Sequence, residues 1–188
     1  TKAQLSAIIL NAQKQQHDDE FEISIVKPLR LSKYNYIKEY YLNPINLDYD
    51  KKLTTEIYDV KHILAFGGIH GAIDNYIDEG FYIMSDIASM YPSLMINHKM
   101  LSRNVAEPKK FEEIRDTRIK YKRAKNPLQA PLKIVINGTY GASKDKNNAL
   151  YDPLMANNVC INGQLLIVDL LEKLEMAFGN RLKLIQSN

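Results

Sequence analysis

The spacing of apolar and polar residues in the first third of the chain predicts a helix, a strand and a second short helix. Apolar residues recur at helical spacing within residues 1–16, which indicates an amphipathic helix. Apolar and polar residues alternate in Phe21–Val26, which predicts a strand that stops at Pro28. The following segment is rich in tyrosine and charge, and we expect a short helix near Asn35–Leu42 followed by an extended pair.

The middle of the chain is predicted to form strands around two adjacent glycines. The apolar run Ile63–Phe66 leads into Gly67 and Gly68, where the backbone can turn or approach another chain closely. Beyond them, Ala72–Asp78 and Phe81–Ile87 are predicted to be two strands joined by a short turn. The second of these strands would carry a carboxylate near its end.

The next part of the chain is predicted to contain three helices. The first is expected over residues 89–97, with Ser89 as its N-terminal cap. A basic amphipathic helix follows at Phe111–Lys125, and after a tight reversal a third helix is predicted from residue 128 to 140, ended by Gly141.

The last part of the chain is predicted to be one long helix and a strand. Pro153–Phe178 has apolar residues at helical spacing, and Gly179 is expected to break the helix. Arg181–Ile185 then alternates as a final strand. Because the sequence stops in or just after this strand, we expect it to be a fragment of a longer protein.

The composition is that of a soluble globular protein with one basic segment. The 188 residues carry a net charge of +3 and a single cysteine, Cys160, and we find neither a signal peptide nor an apolar stretch that approaches bilayer length. A cytoplasmic location and no membrane partner are therefore expected. Ten basic and four acidic residues lie between Lys99 and Lys125. Such a stripe favours contact with phosphate, although a solvated helix face has the same composition.

A carboxylate beside a helix start is the first candidate site. Asp86 lies near the end of the predicted strand, and a helix is predicted to begin directly after it at Ser89. The carboxylate can bind a hard cation such as Mg²⁺, and the free N–H groups of the helix start can hold phosphate oxygens. Adjacent metal and phosphate sites are what phosphoryl transfer requires. Taken alone, an aspartate at a strand end before a helix is common, and it is more often a cap or turn residue than a metal ligand.

A polar helix face is the second candidate site. Lys133, Asn137 and Tyr140 are spaced so that they lie on one face of the predicted third helix. The face offers a cation, an amide and an aromatic ring, which suit a phosphate, a sugar or base edge, and a stacked base. An ordinary solvated helix face is the alternative interpretation.

Together the two stretches resemble family B DNA polymerases. Residues 86–93 are similar to that family's palm motif D-x-x-S-L-Y-P-S, with Met90 in place of leucine. Residues 133–141 are similar to its fingers motif K-x-x-x-N-x-x-Y-G. The motifs occur in the family's order, separated by a basic helix, and the resemblance covers about residues 63–188.

Two further elements resemble the same family. Arg118 and Lys122 on the basic helix are similar to the pair that contacts the incoming triphosphate, with Arg115 as a competing choice. Phe66 and the glycine pair after it resemble the Y-x-G-G element of protein-primed phage polymerases, although the tyrosine is absent. Residues 1–62 match no motif, and no exonuclease signature is visible.

The resemblance implies a metal and triphosphate site. Asp86 and the carbonyl group of Ile87 would bind two Mg²⁺ ions, which activate the primer 3′ hydroxyl and stabilise the leaving pyrophosphate. Arg118, Lys122 and Lys133 would hold the triphosphate of an incoming deoxynucleotide through position and charge.

The remaining matched residues would contact the sugar, the base pair and the DNA. By resemblance, Tyr91 would lie under the sugar and exclude a ribose 2′ hydroxyl. Asn137 and Tyr140 would line the pocket for the nascent base pair. Gly67 and Gly68 would let backbone amides approach the template phosphates of a primer–template DNA.

The resemblance also implies an α+β fold with polymerase subdomains. An incomplete antiparallel palm sheet with packed helices would be formed by residues 63–98 and 142–188. A helical fingers hairpin would be formed by residues 99–141, and residues 1–62 would be a segment of unclear role.

One departure from the family pattern concerns the second catalytic aspartate. The family carries it in a Y-x-D-T-D-S hairpin, and Gln186 and Asn188 occupy the tyrosine and first aspartate positions of that hairpin. The metal-binding aspartate would then lie two residues beyond Asn188. We therefore expect an incomplete metal site and little or no activity from this chain alone.

Other classes of protein stay open at this point. A non-catalytic nucleic-acid-binding module could keep the basic hairpin and need no metal. A family A polymerase or a reverse transcriptase is disfavoured by the run from Ser89 to Ser93, and a purely structural protein is the third alternative. The sequence leaves open the oligomeric state, the priming mode and the presence of an exonuclease.

Overall fold

The structure is a computed structural model that describes residues 21–188. The helix predicted over residues 1–16 lies outside the described residues. The chain forms two compact units, one containing residues 89–159 with Phe21 and Glu22, the other containing residues 23–88 and 160–188. The structure contains helices together with an antiparallel sheet, so the α+β class is confirmed.

The unit of residues 23–88 and 160–188 is built on a four-stranded antiparallel sheet. Its strands follow in the order β1 (Leu53–Ile57), β2 (Val60–Ala65), β3 (Gly68–Ala72) and β4 (Gln186–Ser187). Two-residue turns join β1 to β2 and β2 to β3, as the pairs that close them show.

The two turns depend on residues with positive φ. Tyr58 and Asp59 both lie in the left-handed region, with φ of 50° and 61°, as a type I′ hairpin turn requires. Gly68 has a φ of 152°, a conformation that a side chain disfavours. The glycine pair does lie where the chain turns, but the turn itself is Phe66–Gly67, and Gly68 is the first residue of β3.

One face of the sheet is buried. Side chains alternate between buried and exposed along β2, as the pleat of a strand requires, and the same alternation holds in β3. A helix, α1 (Asn35–Leu42), lies where the sequence predicted it, and a short 3₁₀ helix follows. Tyr41 of α1 donates to Gln164 over 3.0 Å, and Gln164 donates to the carbonyl of Ala65 in β2 over 2.8 Å.

The long helix α5 (Pro153–Phe178) begins and ends where the sequence predicted. Gly179, with a φ of 50°, follows it directly in a short 3₁₀ turn. By length and composition alone the stretch from Pro153 to Arg181 could cross a membrane, which the sequence analysis did not expect. However, 78% of its most apolar window is buried inside the protein, as in the core helix of a soluble protein.

The strand predicted at Phe21–Val26 is absent. Residues 22–26 have no regular secondary structure, and backbone groups of Ser24 and Val26 bond to a side chain of α5. The amide of Asn162 accepts from the N–H group of Val26 over 2.9 Å and donates to the carbonyl of Ser24 over 2.8 Å. A helical asparagine thus replaces the strand partner.

The other unit is helical. It contains α2 (Met90–Asn97), α3 (Pro108–Arg123), α4 (Gln129–Lys144) and the first turns of α5. Helices α3 and α4 form a hairpin. Lys125, whose backbone has the left-handed conformation, lies in the turn between them. The prediction that Gly141 ends the third helix was wrong, because α4 continues to Lys144.

The strands predicted at Ala72–Asp78 and Phe81–Ile87 are also absent. Strand β3 ends at Ala72, and no residue from 73 to 89 belongs to a strand. Residues 81–87 pair with no strand within the described part of the chain, although β1 and β4 are edge strands of the sheet. The final strand is likewise displaced from Arg181–Ile185 to β4.

Candidate functional site

A buried arginine is the central feature of the helical unit. Arg118 lies on the inner face of α3, two turns after the buried Phe111, and only 5% of it is exposed. Its Nη1 donates to Oγ of Ser89 over 2.6 Å, and its Nε has no hydrogen-bond partner. Within residues 21–188 no carboxylate forms an ion pair with it. A buried guanidinium group without a counter-charge is a natural site for an anion.

The competing Arg115 is engaged differently. Its Nε lies 2.6 Å from Oδ1 of Asp116, an ion pair without hydrogen-bond geometry, and its Nη2 lies 3.7 Å from Oε1 of Glu112. Both carboxylates belong to α3 itself. The charge of Arg115 is thus neutralised within its own helix, which favours Arg118 as the residue that could hold a phosphate.

Ser89 occupies the predicted N-cap position, but its side chain does not cap the helix. The side chain makes no capping hydrogen bond, and its hydroxyl group accepts from Arg118 instead. Its backbone is left-handed, with φ 54° and ψ 44°, a conformation that costs free energy in a residue other than glycine. The first N–H groups of α2 are therefore left without a side-chain cap.

Two tyrosines meet beside this helix start. The ring centroids of Tyr91 in α2 and Tyr140 in α4 lie 4.6 Å apart at an angle of 63°, an edge-to-face contact. Both side chains are partly buried. The structure therefore joins one residue of the palm-like motif to one residue of the fingers-like motif.

The other predicted nucleotide-binding residues are exposed. Lys133 and Asn137 lie four residues apart on α4, while Ile136 between them points inward and is fully buried. Lys122 is exposed near the end of α3. These three side chains are open to solvent and could reach a ligand.

Asp86 and Ile87 lie in the unit that contains the sheet. They belong to an exposed stretch without secondary structure, in which Ile83 is 85% and Met84 94% exposed. Within residues 21–188 no three side chains of the His, Cys, Asp or Glu type cluster as a metal site. The carboxylate of Asp86 and the carbonyl of Ile87 are oxygen donors of the kind that Mg²⁺ prefers, but two donors do not by themselves make a site.

Gly67 and Gly68 lie at the turn from β2 to β3. A Cβ atom built on Gly67 would meet nothing within 4 Å. The backbone at Gly67 is therefore open to the approach of another chain. A side chain at residue 67 would occupy the space beside it.

Sequence reasoning missed two buried polar groups. Asp152, fully buried, accepts from the backbone N, Nε and Nη2 of Arg103 at 2.8, 2.9 and 2.8 Å. Burial by itself would raise the pKa of Asp152, but the hydrogen bonds from Arg103 outweigh it and lower that pKa below its usual value. The aspartate–proline pair before α5 could have predicted a helix start here. The second group is His62, and no pattern in the sequence around it predicts its position.

We compared the chain with protein-family models, with curated proteins and with solved structures, and none of them matches it. The family B resemblance therefore depends on the motif residues themselves and on the contacts that they make.

Proposed function

We propose that the chain is part of a DNA-directed DNA polymerase, which adds deoxynucleotides to a primer 3′ hydroxyl and releases pyrophosphate. The observation that supports this best is Arg118, a buried cation without a carboxylate partner that contacts Ser89 at the start of the palm-like helix. A triphosphate is the anion that the two motifs imply at this position.

The residues of the helical unit would bind and orient the nucleotide. Arg118 and the uncapped N–H groups of α2 would hold phosphate oxygens, because both present unsatisfied donors. Lys122 and Lys133 would add charge from solvent-exposed positions. The edge-to-face pair of Tyr91 and Tyr140 offers a rigid aromatic wall for a sugar and a base.

The sheet-containing unit would supply the metal ligands. Asp86 and the carbonyl of Ile87 are the donors for Mg²⁺, which when bound lowers the pKa of a coordinated hydroxyl group and neutralises phosphate charge. The residues of this chain contribute position and electrostatic stabilisation to such a reaction.

Primer extension tests the proposal. The full-length gene product should extend a primer on a DNA template in the presence of Mg²⁺, and Asp86→Ala should abolish extension. Glu79→Ala, which removes another carboxylate from the same exposed segment, should leave extension unchanged. Equal loss in both variants, or no extension by a folded wild type that binds primer–template, would count against a polymerase.

A non-catalytic nucleic-acid-binding module is the second candidate. The basic α3 favours it. Such a module would bind DNA without Mg²⁺ and would show no Mg²⁺-dependent affinity for a deoxynucleoside triphosphate, which equilibrium binding can measure.

A further inference from the structure

A buried histidine connects the middle of the sheet to its last strand. His62 of β2 has no solvent exposure, and its two ring nitrogens both have partners. Nδ1 lies 2.7 Å from the carbonyl oxygen of Val60, and Nε2 lies 2.7 Å from Oγ of Ser187 in β4.

The partners assign the tautomer of His62. A carbonyl oxygen can only accept, so Nδ1 must carry the proton and donate to Val60. In the neutral ring Nε2 is then an acceptor, and the hydroxyl group of Ser187 donates to it. Burial lowers the pKa of His62, opposed in part by the bond to Val60, and this agrees with a neutral ring.

A glycine makes this contact possible. His62, Gly71 and Ser187 lie side by side across three strands, with Gly71 in the middle. A Cβ atom on Gly71 would lie 2.3 Å from Cδ2 of the imidazole. The imidazole ring of His62 therefore passes over Gly71, where only glycine leaves room for it, and reaches Ser187 in β4.

Strand β4 has few other attachments. It contains two residues, and its backbone pairing with β3 covers only Gly71 and Ala72. One further hydrogen bond, from the N–H group of Ile73 to the carbonyl of Ile185 over 2.9 Å, precedes it. So short a strand has little stability of its own, and a buried side-chain anchor is a large part of what fixes it.

We propose that His62 is a positioning residue that fixes β4 and the adjoining Asn188 for catalysis. The inference rests on the proposed function, because the resemblance aligns Gln186 to Asn188 with the start of the hairpin that carries the second catalytic aspartate. His62 touches no substrate. It acts through Ser187, and the residues proposed to hold the triphosphate belong to the other unit.

The contact has a spectroscopic test. In the full-length protein labelled with ¹⁵N-histidine, His62, identified by His62→Gln, should show a protonated Nδ1 and a bare Nε2. Ser187→Ala should shift the Nε2 resonance and leave Nδ1 nearly unchanged. A protonated Nε2 in the wild type, or an Nε2 signal that Ser187→Ala does not move, would overturn the inference.

The positioning role has a kinetic test. His62→Asn keeps a donor for Val60 but removes the acceptor for Ser187, and Ser187→Ala removes the donor. Each should lower kcat of primer extension about tenfold, the effect of one buried hydrogen bond, with KM for the nucleotide unchanged. The double variant should be no slower than either single variant. His62→Gln, whose side-chain oxygen can accept near the Nε2 position, should recover most of kcat.

The control is His70→Asn on the exposed face of β3, which should keep wild-type kinetics. If His62→Asn fails to fold, the milder Ser187→Ala still decides. Wild-type kcat in Ser187→Ala, or a change in KM alone, would overturn the positioning role while polymerase activity stands. A wild-type protein that extends no primer would overturn the proposed function and this inference with it.

Discussion

Replacing Arg118 by methionine separates an anion-binding role from a structural one. Methionine keeps much of the apolar stem of arginine and removes the guanidinium group. If the group holds a triphosphate, charge-assisted hydrogen bonds worth about 1.5–3 kcal/mol are lost. Since 1.4 kcal/mol corresponds to about tenfold, kcat/KM for the incoming nucleotide should fall about 10- to 150-fold.

The stability of the same variant should change little. Arg118→Met removes one hydrogen bond to Ser89, worth about 1 kcal/mol, and also removes the cost of burying an unpaired charge. No buried carboxylate among the described residues is left behind without its partner. The free energy of unfolding, measured with urea, should therefore stay within about 1 kcal/mol of the wild type.

Arg115→Met is the matched control on the same helix. Because Arg115 is paired with carboxylates of α3, its loss should cost about 0.5 kcal/mol of stability and leave the nucleotide KM unchanged. The reasoning is refuted if Arg118→Met loses several kcal/mol of stability at unchanged kcat/KM, since Arg118 would then be a structural residue.

Three further predictions concern charge, pH and sugar selection. Arg103→Met should cost about 3 kcal/mol in urea unfolding, the low end for a broken buried ion pair because Arg103 is one-third exposed, whereas Lys110→Met should cost under about 0.5 kcal/mol. The pKa of His62 is lower in the folded state, so the unfolded chain takes up the proton first. Stability should therefore fall as the pH drops below about 6.5, less so in His62→Gln, in urea titrations between about pH 5 and 8. Tyr91→Ala should raise ribonucleotide incorporation relative to deoxynucleotides in primer extension, and equal ratios in both proteins would exclude its predicted role.

Local patterns predicted the helices because a helix satisfies its hydrogen bonds within its own segment. The bounds of Pro153–Phe178 followed from apolar spacing and from Gly179, and the helix expected near Asn35–Leu42 is present although its segment is rich in tyrosine and charge. The strand predictions failed where the sequence does not show which segment a strand would pair with. Residues 81–87 have the apolar composition of a buried strand yet pair with no strand among the described residues, and backbone groups of Ser24 and Val26 bond to Asn162 instead.

The candidate site was predictable as a set of residue types but not as a set of contacts. Spacing placed Arg115 and Arg118 on one basic helix without choosing between them. The Nε atoms of both lack a hydrogen-bond partner, and among the described residues only the carboxylates beside Arg115 separate the two. His62 could not have been found, because its link to Ser187 depends on the register of three strands.

The proposed roles fall into two groups of residues, and each group can be tested by itself. The unpaired Arg118, the uncapped helix start and the Tyr91–Tyr140 pair all belong to one unit, and they favour binding of a triphosphate whether or not metal ligands are complete. Asp86 and the strand anchored by His62 belong to the other, and they bear on catalysis. Variants of the first group should therefore raise the nucleotide KM, and variants of the second should lower kcat. A mixed pattern, with Asp86→Asn raising KM and Arg118→Met lowering kcat alone, would show that the motif resemblance assigns the roles wrongly even if the protein extends primers.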